Sequence, residues 1–527
     1  MKLSELTQSI NQAVLTGTDD PEIQTLCYDS RKSSEGSLFF ALKGQNVNGM
    51  DFIEPAVKSG ASGIVAEADD CGLDVPWVKV PDGRYAMSAM SDMIYACPSS
   101  EIKIAGITGT NGKTTTAFLL CYLLEKGQRR CGLLGTIKYK TGSEEEPAVT
   151  HTTPEAPELQ SYLSEMLSNG CDVAVMEVSS HGIAQKRTAH VQFDVGVFTN
   201  LSRDHLDFHD SMEQYYKAKR ELFEQIANCD AESKKVAVIN YDDEWGKKII
   251  GYNENKKLKT LTYGLGVGAD YRAVDLRQTR KGTDFKLEVG KRQFRASIPF
   301  IGKFNVYNAL AALVAGVGMG LNVRETVSNL ADLPQIPGRL ESVSEGRSFD
   351  VYVDYAHSPD ALTNALLTLN ELNPRRLIVI FGCGGDRDNP KRAQMGNVAA
   401  RIANYVIITS DNPRNESPSK IIRDIESGFE GTHYEIVEDR REAIALGVSY
   451  LLPGDILLIA GKGHETYQEV SGERTAFDDR IIARQMLSDR DHVHADMVRE
   501  KREQYEKDKL EREMNGGAEG EEEFRRV

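Results

Sequence analysis

The chain has 527 residues, of which 40% are hydrophobic and 27% charged. That length exceeds what one hydrophobic core organises, so roughly two to four soluble domains are expected. A formal charge of −16 excludes a basic surface for non-specific nucleic-acid binding, yet leaves room for a local basic cleft that takes a small anion.

The opening stretch MKLSELTQSINQAVLTG has neither the basic nor the apolar region of a signal peptide. No apolar run approaches the roughly 20 residues of a membrane span. Eight cysteines lie scattered without a CxxC pair, which predicts reduced thiols and a cytoplasmic location. A monomer is expected. Residues 1–98 mix short apolar runs (SLFFAL, GIVAEA, WVKV) with turn residues and predict a small α/β domain. From 99 to 337 the runs KIAGIT, DVAVMEV, FDVGVFTN and KVAVIN alternate with helical stretches such as TTAFLLCYLLEKG, the pattern of a parallel sheet with crossover helices. The Gly/Pro-rich joint LPQIPGRLE leads into a second α/β series over 338–490, with FDVYVD, RLIVIF, YVIITS and DILLIA as its strands. The last stretch, 491–527, is dense in both charge signs and poor in apolar residues, and predicts a solvated, partly disordered tail.

The run KIAGIT enters Gly109-Thr110-Asn111-Gly112-Lys113-Thr114-Thr115 and then an apolar helix. Glycines let backbone N–H groups close around phosphate oxygens at a helix N-terminus. In such a loop Lys113 reaches the β/γ-phosphates of ATP and the Thr114 hydroxyl ligates Mg²⁺. The loop departs from the strict phosphate-loop pattern at Ile107, where glycine is usual. Glu177 ends the run DVAVMEV and His205 follows the next run, in NLSRDHLDFH. Both therefore belong to the strand-end edge where parallel sheets place ligands, and both can join Thr114 in holding two Mg²⁺ ions over the triphosphate and the reacting carboxylate.

TGTNGKT resembles the ATP loop of the Mur ligase family, whose relatives include folylpolyglutamate and cyanophycin synthetases. The blocks HTTPE, MEVSSHG, NLSRDHLDFH, GKFNVYNALAA and VDYAHSPDAL follow in the family's order, and the resemblance covers about residues 1–490. It implies three α/β domains: a small nucleotide-sugar domain, a phosphate-loop ATPase domain and a Rossmann-like C-terminal domain. It also implies that Lys219, in EQYYKAKRELF, reacts with CO₂ to form a carbamate that ligates Mg²⁺; Lys217 is the competing neighbour. Ser30, beside Asp29 and Arg31, and the turn Gln45-Asn46-Val47 match positions that hold uridine diphosphate. Thr152, Thr153, Ser179, Gln185 and Arg187 match contacts to a muramoyl dipeptide. Asn305, Asn308 and His357 fall on the nucleotide side; Asp354 beside His357 lacks the nucleophile that a catalytic pair would need.

The C-terminal set FGCGGDRD, DNPR and GKGHE resembles the tripeptide-forming branch of that family. It implies an ATP-dependent ligase adding meso-diaminopimelate to UDP-N-acetylmuramoyl-L-alanyl-D-glutamate. Arg387, Asp411, Asn412, Pro413, Arg414, Gly461 and Glu465 are the expected amino-acid site. A guanidinium grips a carboxylate with paired hydrogen bonds, and diaminopimelate differs from lysine by one distal carboxylate. Arg414 is assigned to that carboxylate, and Glu465 to an ammonium. Cys383 is read as a packed small residue. The alternatives are a lysine-adding or folate-type ligase and, in another class, a phosphate-loop switch protein, which would not need HTTPE or SSHG.

Overall fold

The computed structural model describes residues 1–44, 47–229, 235–256, 258–344, 346–430 and 434–491. Gln45, Asn46 and the charged tail from residue 492 lie outside them. The chain divides into two compact units, Met1–Pro334 and Gln335–Val527.

Among the described residues the first unit carries a five-stranded and a ten-stranded sheet. In the smaller one, Thr25–Cys27, Ser37–Phe40, Gly63–Ala66 and Trp77–Lys79 run parallel, and Val14–Thr16 closes the edge antiparallel. Every residue of Ser37–Phe40 is buried, because successive side chains point to opposite faces and helices cover both. Leu38, Phe40 and Val65 pack against Leu3, Leu6, Met87 and Met90 of the helices Leu3–Gln8 and Gly83–Ile94. On the other face Phe39, Ile64 and Trp77 meet Ile53 and Ala56 of the helix Ile53–Lys58.

The larger sheet has the order Arg292–Ile298, Gly282–Val289, Tyr271–Thr279, Lys259–Gly264, Val236–Asn240, Val195–Phe198, Lys103–Thr108, Val173–Glu177, Cys131–Leu134, Tyr139–Lys140. From Lys259–Gly264 to Cys131–Leu134 the strands are all parallel. These are the apolar runs of the sequence, and Val173–Glu177, Val195–Phe198 and Val236–Asn240 are buried throughout. The residues from Tyr271 to Ile298 add an antiparallel meander that the alternating α/β series does not contain. Its strands alternate buried and exposed positions, as a sheet with one wet face does.

In the second unit the order is Glu341–Ser342, Asp350–Asp354, Ile456–Ala460, Leu377–Phe381, Tyr405–Ile408, Tyr434–Ile436, parallel from Asp350–Asp354 onward. Ala443, Ile444 and Val448 of the helix Arg440–Ser449, with Ile482, Ala483 and Leu487, seal one face of it. The helix of residues 479–491 extends to Asp491, which pairs with Arg347 at 2.6 Å. FGCGGDRD, DNPR and GKGHE all leave the C-terminal ends of parallel strands, so one sheet edge collects them.

Candidate active site

The phosphate loop turns between the strand Lys103–Thr108 and the helix Lys113–Lys126. Gly109 and Gly112 hold φ of +147° and +85°, values open to glycine. A Cβ on Gly109 would collide with Thr199 Oγ1, and one on Gly112 with Asn308 Oδ1. The loop is thus clasped by the chain that follows the strand Val195–Phe198 and by the helix Lys303–Gly318. Thr110 N donates to Asn200 O at 2.8 Å and Asn111 N to Asn200 Oδ1 at 3.0 Å. Lys113 Nζ arches back over the loop and donates to the carbonyls of Gly109 and Thr110, both at 2.9 Å. Asn305 and Asn308 are buried and joined at 3.2 Å, with Asn305 Nδ2 donating to Ile301 O at 2.9 Å. Thr115 is buried in the first helical turn.

Thr114 Oγ1 donates to Glu177 Oε2 at 2.9 Å, although the two residues belong to different elements. Glu177 is 1% exposed and also accepts from Thr136 N at 2.8 Å and from Thr136 Oγ1 at 3.2 Å. The hydroxyls of Thr136 and Thr152 meet at 3.0 Å. Thr153 Oγ1 donates to Glu177 O at 2.9 Å and lies 3.1 Å from Ser179 Oγ, which caps the short helix Ser180–Ala184. Arg187 Nη1 donates to Thr153 O at 2.7 Å and Nη2 to Gln185 Oε1 at 2.6 Å, while Glu155 pairs with the same guanidinium at 2.7 Å. Five residues assigned to the muramoyl dipeptide therefore form one network continuous with the phosphate loop. Burial pulls the Arg187 guanidinium below its ordinary pKa, and Glu155 opposes that shift.

Lys219 lies on the helix Met212–Ala227 at 1% exposure, and its Nζ donates to Gly109 O at 2.7 Å. Burial, reinforced by Lys113, holds its pKa well below that of an ordinary lysine. Tyr215 connects it to the histidines: Lys219 Nζ is 4.5 Å from that ring's centroid, and the His205 ring is 6.1 Å from it. His205 sits at φ +51° and faces His181 at 4.8 Å. A hydroxyl and a buried carboxylate 2.9 Å apart at a phosphate loop are the oxygen donors that Mg²⁺ favours. Such sites take few protein ligands and leave the rest to substrate phosphates. No group of three or more His, Cys, Asp or Glu suited to a metal occurs among the described residues.

Ser30 is buried at the start of a 3₁₀ turn, and Asp29 and Arg31 are paired with each other at 2.8 Å. Val47 is 61% exposed and accepts from Gly44 N at 2.9 Å. The N-terminal sheet domain reaches the central one through Tyr28, whose hydroxyl donates to Glu158 at 2.9 Å, and through the Arg84–Glu155 pair at 3.5 Å.

In the second unit His357 is exposed, with Nδ1 2.9 Å from Tyr355 O. Asp411, Asn412 and Pro413 are buried, while Arg387 is exposed. Arg414 stands at φ +50°, a region a non-glycine residue occupies only when its surroundings impose it. The hairpin of Tyr467–Val470 and Glu473–Ala476 does so: Arg414 N donates to Glu469 O at 3.1 Å and Ser471 N to Arg414 O at 2.7 Å. Arg414 Nη1 donates to Gly385 O at 2.7 Å, joining DNPR to the glycine loop. Gly461 holds φ +113°, and a Cβ there would stand 2.7 Å from Asp411 Oδ2. Glu465, assigned to an ammonium, holds that of Lys462 at 3.1 Å. Cys383 is buried, and burial raises its thiol to about 12, which leaves no thiolate for chemistry. Arg440 and Asp479 form a fully buried ion pair at 2.7 Å, and the guanidinium also donates to Ser410 O and Ala460 O. It thereby ties together the strand ends that open DNPR and GKGHE. Sequence reasoning singled out neither Thr136, Tyr215, Lys462 nor Arg440: each has at least one partner far away in the chain, Glu177, Thr110, Asn412 and Asp479 respectively.

Residues 22–93 match the family described as "Mur ligase family, catalytic domain", residues 107–316 "Mur ligase middle domain" and residues 338–463 "Mur ligase, glutamate ligase domain". The UDP-N-acetylmuramoyl-L-alanyl-D-glutamate–2,6-diaminopimelate ligase of Geobacillus kaustophilus is 43% identical over 475 residues, 89% of this chain and 96% of the relative. The ligase of the same name from Bacillus velezensis is 42% identical over 485 residues, covering 92% and 98%. A solved structure of a protein with that name superposes with a TM-score of 0.67 at 35% identity, covering 93% of this chain and 99% of its own. On the shared sequence and fold, the chain belongs to the Mur ligase family.

Proposed function

We propose that this chain is an ATP-dependent ligase joining the terminal carboxylate of UDP-N-acetylmuramoyl-L-alanyl-D-glutamate to an amine of meso-diaminopimelate, a step of cytoplasmic peptidoglycan precursor synthesis. The reading is carried by near-full-length similarity to ligases named for that reaction. A phosphate loop and the DNPR motif in the same chain support it. The substrate carboxylate attacks the ATP γ-phosphorus, ADP leaves, and an acyl phosphate forms. The amine then attacks the acyl carbon, and phosphate leaves through a tetrahedral intermediate. Moving a phosphoryl group between two anions requires fixed positive charge, which Lys113 supplies. Thr114, Glu177, His205 and a carbamate on Lys219 would hold two Mg²⁺ ions, whose positive charge would screen the anions that must approach. The carbamate forms when the neutral Lys219 amine attacks CO₂, making a C–N bond and releasing a proton.

Ser30, Gln45, Asn46 and Val47 are assigned to the uridine diphosphate. Thr152, Thr153, Ser179, Gln185 and Arg187 take the sugar and dipeptide, where hydroxyls, an amide and a guanidinium suit sugar hydroxyls, peptide groups and a carboxylate. Asn305, Asn308 and His357 are assigned to the adenosine side of ATP, and Arg387, Asp411–Arg414, Gly461 and Glu465 to diaminopimelate. ADP release and amide formation, measured with each candidate amino acid and the dipeptide nucleotide, test the reading. Diaminopimelate should give the highest rate with one amide per ADP. ADP without amide, or a preference for lysine, overturns it.

Arg414→Ala gives a sharper expectation. A charge-assisted hydrogen bond contributes about 1.5–3 kcal/mol, so the KM for diaminopimelate should rise on the order of 10- to 100-fold. The KM for ATP should stay near wild type. Lysine, lacking the distal carboxylate, should lose little. Unchanged diaminopimelate kinetics would remove Arg414 from the site.

A further inference from the structure

Thr136 follows the strand Cys131–Leu134, and its hydroxyl lies 3.2 Å from Glu177 Oε2 and 3.0 Å from Thr152 Oγ1. The contact to Thr136 is the one hydrogen bond that the Thr152 side chain makes among the described residues. A hydroxyl has a single proton to give and can accept twice, so the pair has two arrangements. In the first, Thr136 donates to Glu177 and Thr152 donates to Thr136. Both protons are then used inside the protein. In the second, Thr136 donates to Thr152, the Thr152 proton is released to a ligand, and Glu177 Oε2 gives up one of its donors. Without a ligand the first is preferred, because a carboxylate is the stronger acceptor. Glu177 keeps its place in both: Thr136 N donates to Oε1 at 2.8 Å whichever way the hydroxyl turns, and Thr114 Oγ1 stays 2.9 Å from Oε2. What changes is how far the charge of Oε2 is already compensated. At 1% exposure, water does not make up the difference.

We propose that Thr136 is a positioning residue through which a bound muramoyl dipeptide strengthens the divalent-cation site at Glu177. A carbonyl or sugar oxygen of the substrate takes the Thr152 proton. The pair then turns to its second arrangement, and Glu177 presents a less compensated oxygen to the cation. By linkage, the cation strengthens dipeptide binding by the same factor. The proposal rests on the reaction proposed above, through the assignment of Thr152 to the dipeptide and of Glu177 to the ion.

Binding of Mn²⁺, standing in for Mg²⁺, to the full-length enzyme without ATP tests this, read as loss of the free-ion EPR signal. The dipeptide nucleotide should tighten Mn²⁺ binding by wild type about 2- to 10-fold, the effect of one hydrogen bond. Thr136→Val keeps the backbone donor and the side-chain shape but has no hydroxyl. Without the nucleotide it should bind Mn²⁺ as tightly as the wild-type complex does, and the nucleotide should then add less than about twofold. Thr136→Ser should behave as wild type. A threonine that only supports the loop would instead weaken Mn²⁺ binding when replaced by valine, and that result overturns the proposal. Should Thr136→Val fail to fold, Thr152→Val breaks the pair from its other end. Mn²⁺ should bind that variant as it binds free wild type, with or without the nucleotide. A nucleotide effect that persists at its wild-type size in whichever variant folds overturns the proposal, as does its absence from a wild type that forms the amide. A wild type that forms no amide from that nucleotide overturns the proposed reaction instead.

Discussion

Lys113→Ala is expected to lower the rate of amide-coupled ADP release by at least about a hundredfold, the usual consequence of removing one fixed donor from a site where charge develops. The ammonium is already committed to the loop, donating to the carbonyls of Gly109 and Thr110 at 2.9 Å. In the proposed reaction it would act twice, holding the loop in shape and carrying charge to the transferring phosphoryl group. Neither role contributes to the hydrophobic core, so the melting temperature should remain that of wild type. A rate within about tenfold of wild type would show that the charge comes from elsewhere.

Lys219→Ala should be almost inactive, and short carboxylates such as acetate or formate should restore part of the activity by filling the vacated anionic position. The reason lies in where the lysine sits. A side chain 1% exposed, donating to Gly109 O at 2.7 Å, is far too deep for a solvated ammonium. Burial lowers its pKa, and the sign of that shift matters: the neutral, nucleophilic amine is already present well below the ordinary lysine pKa of 10.5. Carbamate formation should consequently need CO₂ but not alkaline buffer. Enzyme stripped of CO₂ should regain activity when bicarbonate is added at neutral pH. A fully active, Mg²⁺-loaded enzyme whose density shows a bare amine at Lys219 would refute the assignment.

The parallel strands were legible in the sequence because burial on both faces leaves nothing but apolar residues, as in Val173–Glu177 and Val236–Asn240. The meander from Tyr271 to Ile298 was not, since one wet face dilutes the apolar signal with charges such as Lys286 and Glu288. The same division runs through the site. The glycines and lysine of the phosphate loop announce themselves locally, because their spacing is the chemistry. The Thr114–Glu177 contact spans 63 residues and the Asn412–Glu465 contact spans 53. Only the sheet edges bring those partners together, and no local pattern encodes them. Arg414 shows a further limit: its proposed role rests on its sequence neighbours, but its positive φ is imposed by a hairpin that lies more than 50 residues later in the chain.

The strand order of the central sheet also bears on synthesis at the ribosome. The strand Lys103–Thr108 ends between Val173–Glu177 and Val195–Phe198, both of which emerge long after it. The loop beyond it is closed by Asn200 and, later still, by Asn308. A nascent chain released at residue 150 thus exposes an apolar strand with two unsatisfied edges and a nucleotide loop that has no walls. Non-local pairing of this kind folds slowly, and unpaired edges attract one another. ATP can help only once some 200 further residues have followed the loop out of the exit tunnel, the span from Gly109 to Asn308. Over that interval the unpaired edges are best kept apart from those of neighbouring chains.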